Sequence, residues 1–182
     1  MKHIILEGFV TSGKSAVSKA IAKKNGYPVV DVAKEVSKRL NMTGNEVSDR
    51  FGDVYFHAME TFILDELAGK KKQKPSVLII SSAVPAFPQN QKYLKDLGHV
   101  YYLKVKKGTV VERLGEREKY KWITAAEEDL TERVAHLLKE REPGYKKCAD
   151  YVIEADKKTP EEIADEILAL EAEASRGMRP LR

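Results

Sequence analysis

Gly8-Phe9-Val10-Thr11-Ser12-Gly13-Lys14-Ser15 lies between an apolar run, His3-Ile4-Ile5-Leu6, and Ala16-Val17-Ser18-Lys19-Ala20-Ile21-Ala22, which reads as the opening of a helix. Strand, glycine-framed loop and helix, in that order, are the setting that a Walker A phosphate loop requires. Gly8 and Gly13 permit backbone turns that other residues resist, so successive N–H groups can converge on phosphate oxygens. The helix starting near Lys14 adds its positive end. In this reading Lys14 reaches the β- and γ-phosphates of ATP and the Ser15 hydroxyl holds Mg²⁺, while Thr11, Ser12 and Ala16 complete the cradle. A chance match in a flexible surface loop is the competing reading, and the strand–helix context argues against it.

The bulk of the chain agrees with a compact enzyme-sized domain. Its 182 residues are enough for one domain with a substantial core, and a 42% apolar share beside 33% charged residues fits a soluble globular protein. No apolar run approaches the ~20 residues of a membrane helix. The first strand begins at His3, so no signal peptide is expected, and the single cysteine, Cys148, excludes an internal disulfide. A cytoplasmic setting is the expectation, with Cys148 as a packed small residue rather than a nucleophile. The net charge is +4, and the densest basic run is Lys70-Lys71-Lys72-Gln73-Lys74. Without interleaved aromatics this run reads as a solvated loop, and no nucleic-acid partner is expected.

Four further strand candidates follow: Pro28–Asp31, Ser76–Ser81, His99–Val105 and Tyr151–Glu154. All are short and mostly apolar, as strands buried on both faces should be. Helical patterns separate them. Phe56, Met59, Phe62 or Ile63, and Leu67 share one face, and Leu130, Val134, Leu137 and Leu138 share another. Thr43 with Glu46, Thr124 with Glu127, and Thr159 with Glu162 fit capping boxes, and Pro160 takes the favoured first helical position. Alternating strands and helices predict a three-layer α/β domain around a parallel sheet. Ligands in such sheets bind at the carboxyl ends of the strands, where Gly8, Asp31 and Ser81-Ser82-Ala83 all fall. The charged segment Gly115–Ile123, which contains Trp122, reads as a mobile lid, and residues 175–182 as a frayed tail.

Taken together, these landmarks resemble the shikimate kinase family, one of the small nucleoside-monophosphate-kinase-like P-loop phosphotransferases. Five segments carry the resemblance between about residues 3 and 170. They are Gly8–Ser15, Asp31, Phe51-Gly52-Asp53-Val54-Tyr55-Phe56-His57-Ala58-Met59-Glu60, Ser81-Ser82-Ala83, and Arg141-Glu142-Pro143-Gly144-Tyr145-Lys146-Lys147-Cys148-Ala149-Asp150. The resemblance implies a P-loop NTPase fold with a five-stranded parallel sheet and helices on both faces. It places a substrate-binding subdomain at about 32–70 and a lid at about 115–124, within one domain over 1–174. A monomer is the family habit. The resemblance makes Arg113 the arginine that stacks on adenine and Pro160 the other wall of that slot, a contact a planar guanidinium can make. A third glycine is usual where Thr11 stands.

On the acceptor side the chain departs from the family. The family pattern Asp-x-Asp becomes Asp31-Val32-Ala33, which loses the carboxylate expected to act as base. The arginine of its Phe-Arg pair becomes His57, and its Gly-Gly-Gly turn becomes Ser81-Ser82-Ala83. The lid arginine has Arg117, Lys119 or Lys121 as candidates. Glu60, Asp53 and Arg141 with Tyr145 remain. The expected catalytic groups are therefore Lys14, Asp31, Arg117 and Lys121, with Ser15 and Asp31 at Mg²⁺. Ala33, His57, Glu60, Ser81, Ser82 and Arg141 are expected to face the acceptor.

The expected activity is ATP- and Mg²⁺-dependent transfer of a phosphoryl group to a hydroxyl of a small polar metabolite. Shikimate is the default acceptor by resemblance, and a different small metabolite stands at least level with it as the acceptor. A non-catalytic nucleotide-binding regulator or interaction protein derived from such a kinase is the second reading. A nucleoside monophosphate kinase is the third, and it lacks the arginine-rich clamp expected between the second and third strands.

Overall fold

The computed structural model describes residues 2–70, 74–115, 123 and 129–177. Strand β1 (His3–Glu7) leads through the glycine loop into helix α1 (Lys14–Asn25), then β2 (Val29–Asp31). Three helices follow before the chain returns to the sheet: α2 (Val32–Leu40), α3 (Gly44–Phe51) and α4 (Asp53–Gly69). Next come β3 (Val77–Ile79), a 3₁₀ turn at Val84–Ala86, α5 (Pro88–Leu97) and β4 (Gly98–Lys104). The chain continues through α6 (Lys107–Leu114), α7 (Leu130–Cys148), β5 (Tyr151–Glu154) and α8 (Pro160–Ser175).

The strands form one sheet in the order β2-β3-β1-β4-β5, and every pairing is parallel. β1 is therefore central, and its residues alternate between two cores. Ile4 and Leu6 pack with Val17, Ile21, Ile163 and Ile167 of α1 and α8. Ile5 packs with Val32, Val36, Ile63 and Leu94 of α2, α4 and α5. Helices thus cover both faces, as the alternation of elements predicts.

All five expected strands form, with two corrections. The strands at the edges are not buried on both faces: Val29 on β2 is 39% exposed and Val152 on β5 is 50% exposed. β3 is shorter than the apolar run suggests: it ends at Ile79, with the Ile80 N–H still donating to the Leu6 carbonyl at 3.3 Å and Ser81 already outside the strand. On α4 the inward face consists of Phe56, Met59, Ile63 and Leu67, whereas Phe62 is 52% exposed. The boxes at Thr43–Glu46 and Thr159–Glu162 both close, and Pro160 opens α8. The Thr124–Glu127 box lies outside the described residues, as do Lys71, Lys72, Gln73, Trp122, residues 178–182 and most of the lid segment. Of that segment, Gly115 ends α6 and Ile123 is buried in the α1–α8 core. The tail expectation is shifted slightly, since α8 runs to Ser175.

Two histidines that show no partner in sequence have one in space. His3 Nδ1 accepts from the Ser76 backbone N–H at 3.1 Å, and His99 Nδ1 donates to Glu171 at 2.9 Å. Both tie strands to their neighbours. Cys148 is buried, and burial pushes its thiol up to about 12, so it stays an inert packing group.

α7 reaches the sheet edge through a glycine. A Cβ on Gly144 would lie 2.6 Å from the Pro85 carbonyl oxygen, so any larger residue must push the helix away from the 3₁₀ turn. Gly144→Ala is expected to cost about 1–3 kcal/mol. That corresponds to a fall in Tm of about 2–4 °C per kcal/mol, read by thermal unfolding.

Candidate active site

The phosphate loop is shaped by one close approach. Gly8 has φ 141°, and a Cβ there would lie 2.7 Å from the Leu103 carbonyl oxygen on β4. Thr11, where the family usually has glycine, takes a left-handed φ of 60°. A β-branched residue seldom does so, which gives the physical reason for the usual glycine. Gly13 is left-handed as well, at φ 99°, and starts α1. No side chain caps this helix and its first turn carries no acid. Its N–H groups and positive end therefore suit an anion, and the loop fits a nucleotide's phosphates.

Lys14 folds back over the loop, its Nζ donating to the carbonyls of Gly8 at 2.6 Å and Phe9 at 2.9 Å. Ser12 is buried, while Ser15 and Ala16 are exposed at the start of α1. Ser15 and Asp31 line one cleft of ≈ 430 Å³ with Ile79, Lys34 and Lys38. One hydroxyl and one carboxylate on a common cleft fit Mg²⁺, a hard cation that takes few protein oxygens and keeps several waters. Asp31 also caps α2, its Oδ1 accepting from the Lys34 N–H at 3.2 Å. Ala33, the second residue of α2, offers only a methyl group.

Arg113, near the end of α6, donates from Nη1 to the Thr11 carbonyl at 3.2 Å. The loop between β5 and α8 comes to the same side, since Asp156 lies within the field of Arg113. Pro160 opens α8 just beyond it. Arg113 is thus brought onto the phosphate loop. Arg117 and Lys121, expected as lid cations, lie outside the described residues.

Across the strand ends lies a second cluster. Glu60 on α4 is fully buried, and its Oε2 accepts from His57 Nδ1 and from Ser81 Oγ, each at 2.9 Å. The His57 ring lies 5.8 Å from Phe56 and 5.3 Å from Phe87. Next to it Arg141 on α7 donates to Ser82 Oγ at 2.7 Å and sits over the Phe9 ring at 5.6 Å. Tyr145, one turn on, donates to the Ser82 carbonyl at 2.6 Å. Burial pulls the Arg141 guanidinium down from its usual value, against the pull of Tyr145 and Glu140, yet an arginine stays charged at neutral pH. His57, Glu60 and Ser81 thus form one hydrogen-bonded set, joined to the Ser82–Arg141 pair through the adjacent serines. Both serine hydroxyls are engaged internally, whereas in sequence they stand as substrate ligands or turn caps.

One residue of the site is not flagged by motif. Glu7, the last residue of β1, is 0% exposed, and neither carboxyl oxygen has a hydrogen-bond partner among the described residues. Burial holds its carboxyl well above the usual range, Lys14 opposes that shift and Asp150 adds to it. The available signal was an acid closing an otherwise apolar strand immediately before Gly8. Phe9 and Phe87 were equally silent.

A phosphate loop at the end of a central parallel strand, with a half-buried arginine opposite it, defines a P-loop phosphotransferase. The sequence model of shikimate kinase matches residues 10–171. The shikimate kinase of Thermodesulfovibrio yellowstonii is 33% identical over 168 residues, 92% of this chain and 94% of the relative. That of Caldicellulosiruptor bescii is 30% identical over 170 residues, 93% and 95% of the two chains. The shikimate kinase of Acinetobacter baumannii, solved in complex with shikimate, has a TM-score of 0.85 at 25% identity, covering 96% of this chain and 94% of that one. The chain belongs to the shikimate kinase family, whose members are ATP-dependent kinases that use Mg²⁺. No helix among the described residues is long and apolar enough to cross a membrane.

Three consequences are measurable. Gly8→Ala is expected to abolish MgADP binding in calorimetry, because the new Cβ meets backbone rather than a mobile side chain. Arg113→Ala is expected to weaken MgADP roughly tenfold, in line with about 0.5–2 kcal/mol for a cation stacked on a ring, while leaving the fold intact. Glu7→Gln should raise Tm at neutral pH. An unfolded glutamate ionises near pH ~4.3, whereas the buried one resists ionisation, so Glu7 destabilises the native state once pH exceeds that value. The gap between variant and wild type should therefore close as pH falls below it.

Proposed function

We propose that this chain transfers the γ-phosphoryl group of ATP to a hydroxyl of a small hydroxylated metabolite that carries one anionic group, with shikimate the first acceptor to test. The observation that carries this reading is Arg141, a half-buried cation set between the Phe9 ring of the phosphate loop and Ser82. A guanidinium so placed pairs with a carboxylate or similar anion and holds the acceptor beside the nucleotide. His57, fixed on Glu60 through Nδ1, turns its other nitrogen to the acceptor as a single hydrogen-bonding group. It stands where the family has an arginine fork, so a second charged contact is replaced by a weaker one.

Lys14 and the loop amides neutralise charge on the transferring group, and Arg117 or Lys121 adds a lid cation. Positioning and charge stabilisation supply most of the catalysis in phosphoryl transfer, so the missing carboxylate at Ala33 is tolerable. Bound Mg²⁺, held by Ser15 and Asp31, would screen the phosphate charge. Asp31 is the carboxylate to which this reading assigns the acceptor's proton. Residues 32–70 form the acceptor-binding subdomain in this reading.

The test is shikimate-dependent ADP release with MgATP. Turnover is expected in the wild type, with a fall of about 10²–10³-fold in Lys14→Ala. Arg141→Ala should raise the KM for the acceptor roughly tenfold to a hundredfold, the equivalent of about 1.5–3 kcal/mol for a charged hydrogen bond. His57→Arg should lower the KM for shikimate by restoring the fork. ATP binding without turnover on shikimate moves the search to other hydroxylated acids. Failure of a broad panel of such acids favours a nucleotide-binding protein without catalysis.

A further inference from the structure

Glu7 has no place in the scheme above, yet it lies directly beneath it. Its backbone precedes Gly8, whose carbonyl receives Lys14 Nζ at 2.6 Å. In the sheet it stands opposite Tyr102 of β4. Tyr102 and Tyr145 hold their rings 5.0 Å apart, and both phenols feel the Glu7 charge. The titratable groups whose charge it feels or influences are Lys14 from α1, its sheet neighbour Tyr102 from β4, Tyr145 and Cys148 from α7, and Asp150 from the turn before β5. Arg141 lies one turn before Tyr145 on α7.

A carboxylate sealed here without a donor among the described residues is costly, so the acid holds its proton to higher pH than an ordinary glutamate and gives it up only where Lys14 stabilises the charge. Tyr102, Tyr145 and Cys148 are all pushed upward by burial, so they stay neutral across the working pH range. Lys14 is the positive group that draws Glu7 toward ionisation. Phosphates arriving at Lys14 bring their own negative charge and offset that pull. Burial without a partner and adjacency to the lysine's anchor together make Glu7 responsive to what Lys14 binds.

We propose that Glu7 is a positioning residue for the phosphate-binding lysine: its ionised form competes for Lys14, and nucleotide binding returns it to the acid form. The step is Glu7–COO⁻ plus H⁺ from solvent giving Glu7–COOH, with no other bond made or broken. It rests on the nucleotide half of the proposed function and is independent of the acceptor. By linkage, a proton taken up on binding means that affinity falls as pH rises.

The test is MgADP calorimetry in paired buffers of low and high ionisation heat, from neutral to mildly alkaline pH. The wild type should take up protons in excess of Glu7→Gln, and its Kd should weaken with pH by as much as about tenfold per unit. Glu7→Gln and Glu7→Leu should both be flat, at the wild type's low-pH affinity, once the nucleotide's own titration is subtracted as common to all three. Equal proton uptake and equal pH dependence in wild type and Glu7→Gln overturn the proposal. If neither variant folds, the protonated-carboxyl infrared band of the wild type decides: growth on adding MgADP supports the proposal, and no growth overturns it. Absence of MgADP binding at every pH would sink the nucleotide reading itself, which is a distinct outcome from binding without Glu7-dependent proton uptake.

Discussion

The active edge of the protein depends on how closely the end of β1 runs beside β4. At Gly8 the backbone lies so near the Leu103 carbonyl that no side chain fits between them. That contact forces the chain to turn with a positive φ and lets Lys14 reach back to the Gly8 and Phe9 carbonyls. It also leaves the start of α1 uncapped and facing the cleft. The parallel register then does the rest. With Leu6 beside Ile79 and Ile79 beside Asp31, the ends of three strands deliver the loop, Asp31 and Ser81 to one line.

A second joint fixes the other wall. Gly144 lets α7 settle against the 3₁₀ turn, and this brings Arg141 and Tyr145 onto Ser82. Serines at this turn are compatible with the family architecture because their hydroxyls are absorbed by neighbours, Ser81 by Glu60 and Ser82 by Arg141. Substitutions that look disruptive when read one at a time form a connected network. His57, Glu60 and Ser81 are best regarded as a single altered unit, since one carboxylate oxygen serves both partners.

What the sequence reveals is what local chemistry controls. The glycine loop, the strand–helix alternation and two capping boxes are legible because each is specified within a few neighbouring residues. Thr11 is legible too, as a departure whose cost shows in its backbone angle. The residues that escaped are defined by contacts far along the chain. Glu7 is unremarkable until Tyr102 and α7 close over it, and Phe9 gains its role only when Arg141 arrives across the fold. The edge strands misled for a related reason: Val29 and Val152 have the same apolar character as the central strands, and only sheet order separates rim from middle. His57 is a plain histidine in the sequence, and only the fold shows it fixed on the buried Glu60.

Phe9 belongs to the two halves of the site at once. Its carbonyl holds the ammonium of Lys14, while its ring lies under the guanidinium of Arg141. Phe9 therefore works as a spacer: one residue, set by its place directly after Gly8, fixes a backbone contact to the lysine and a ring contact to the arginine at the same time.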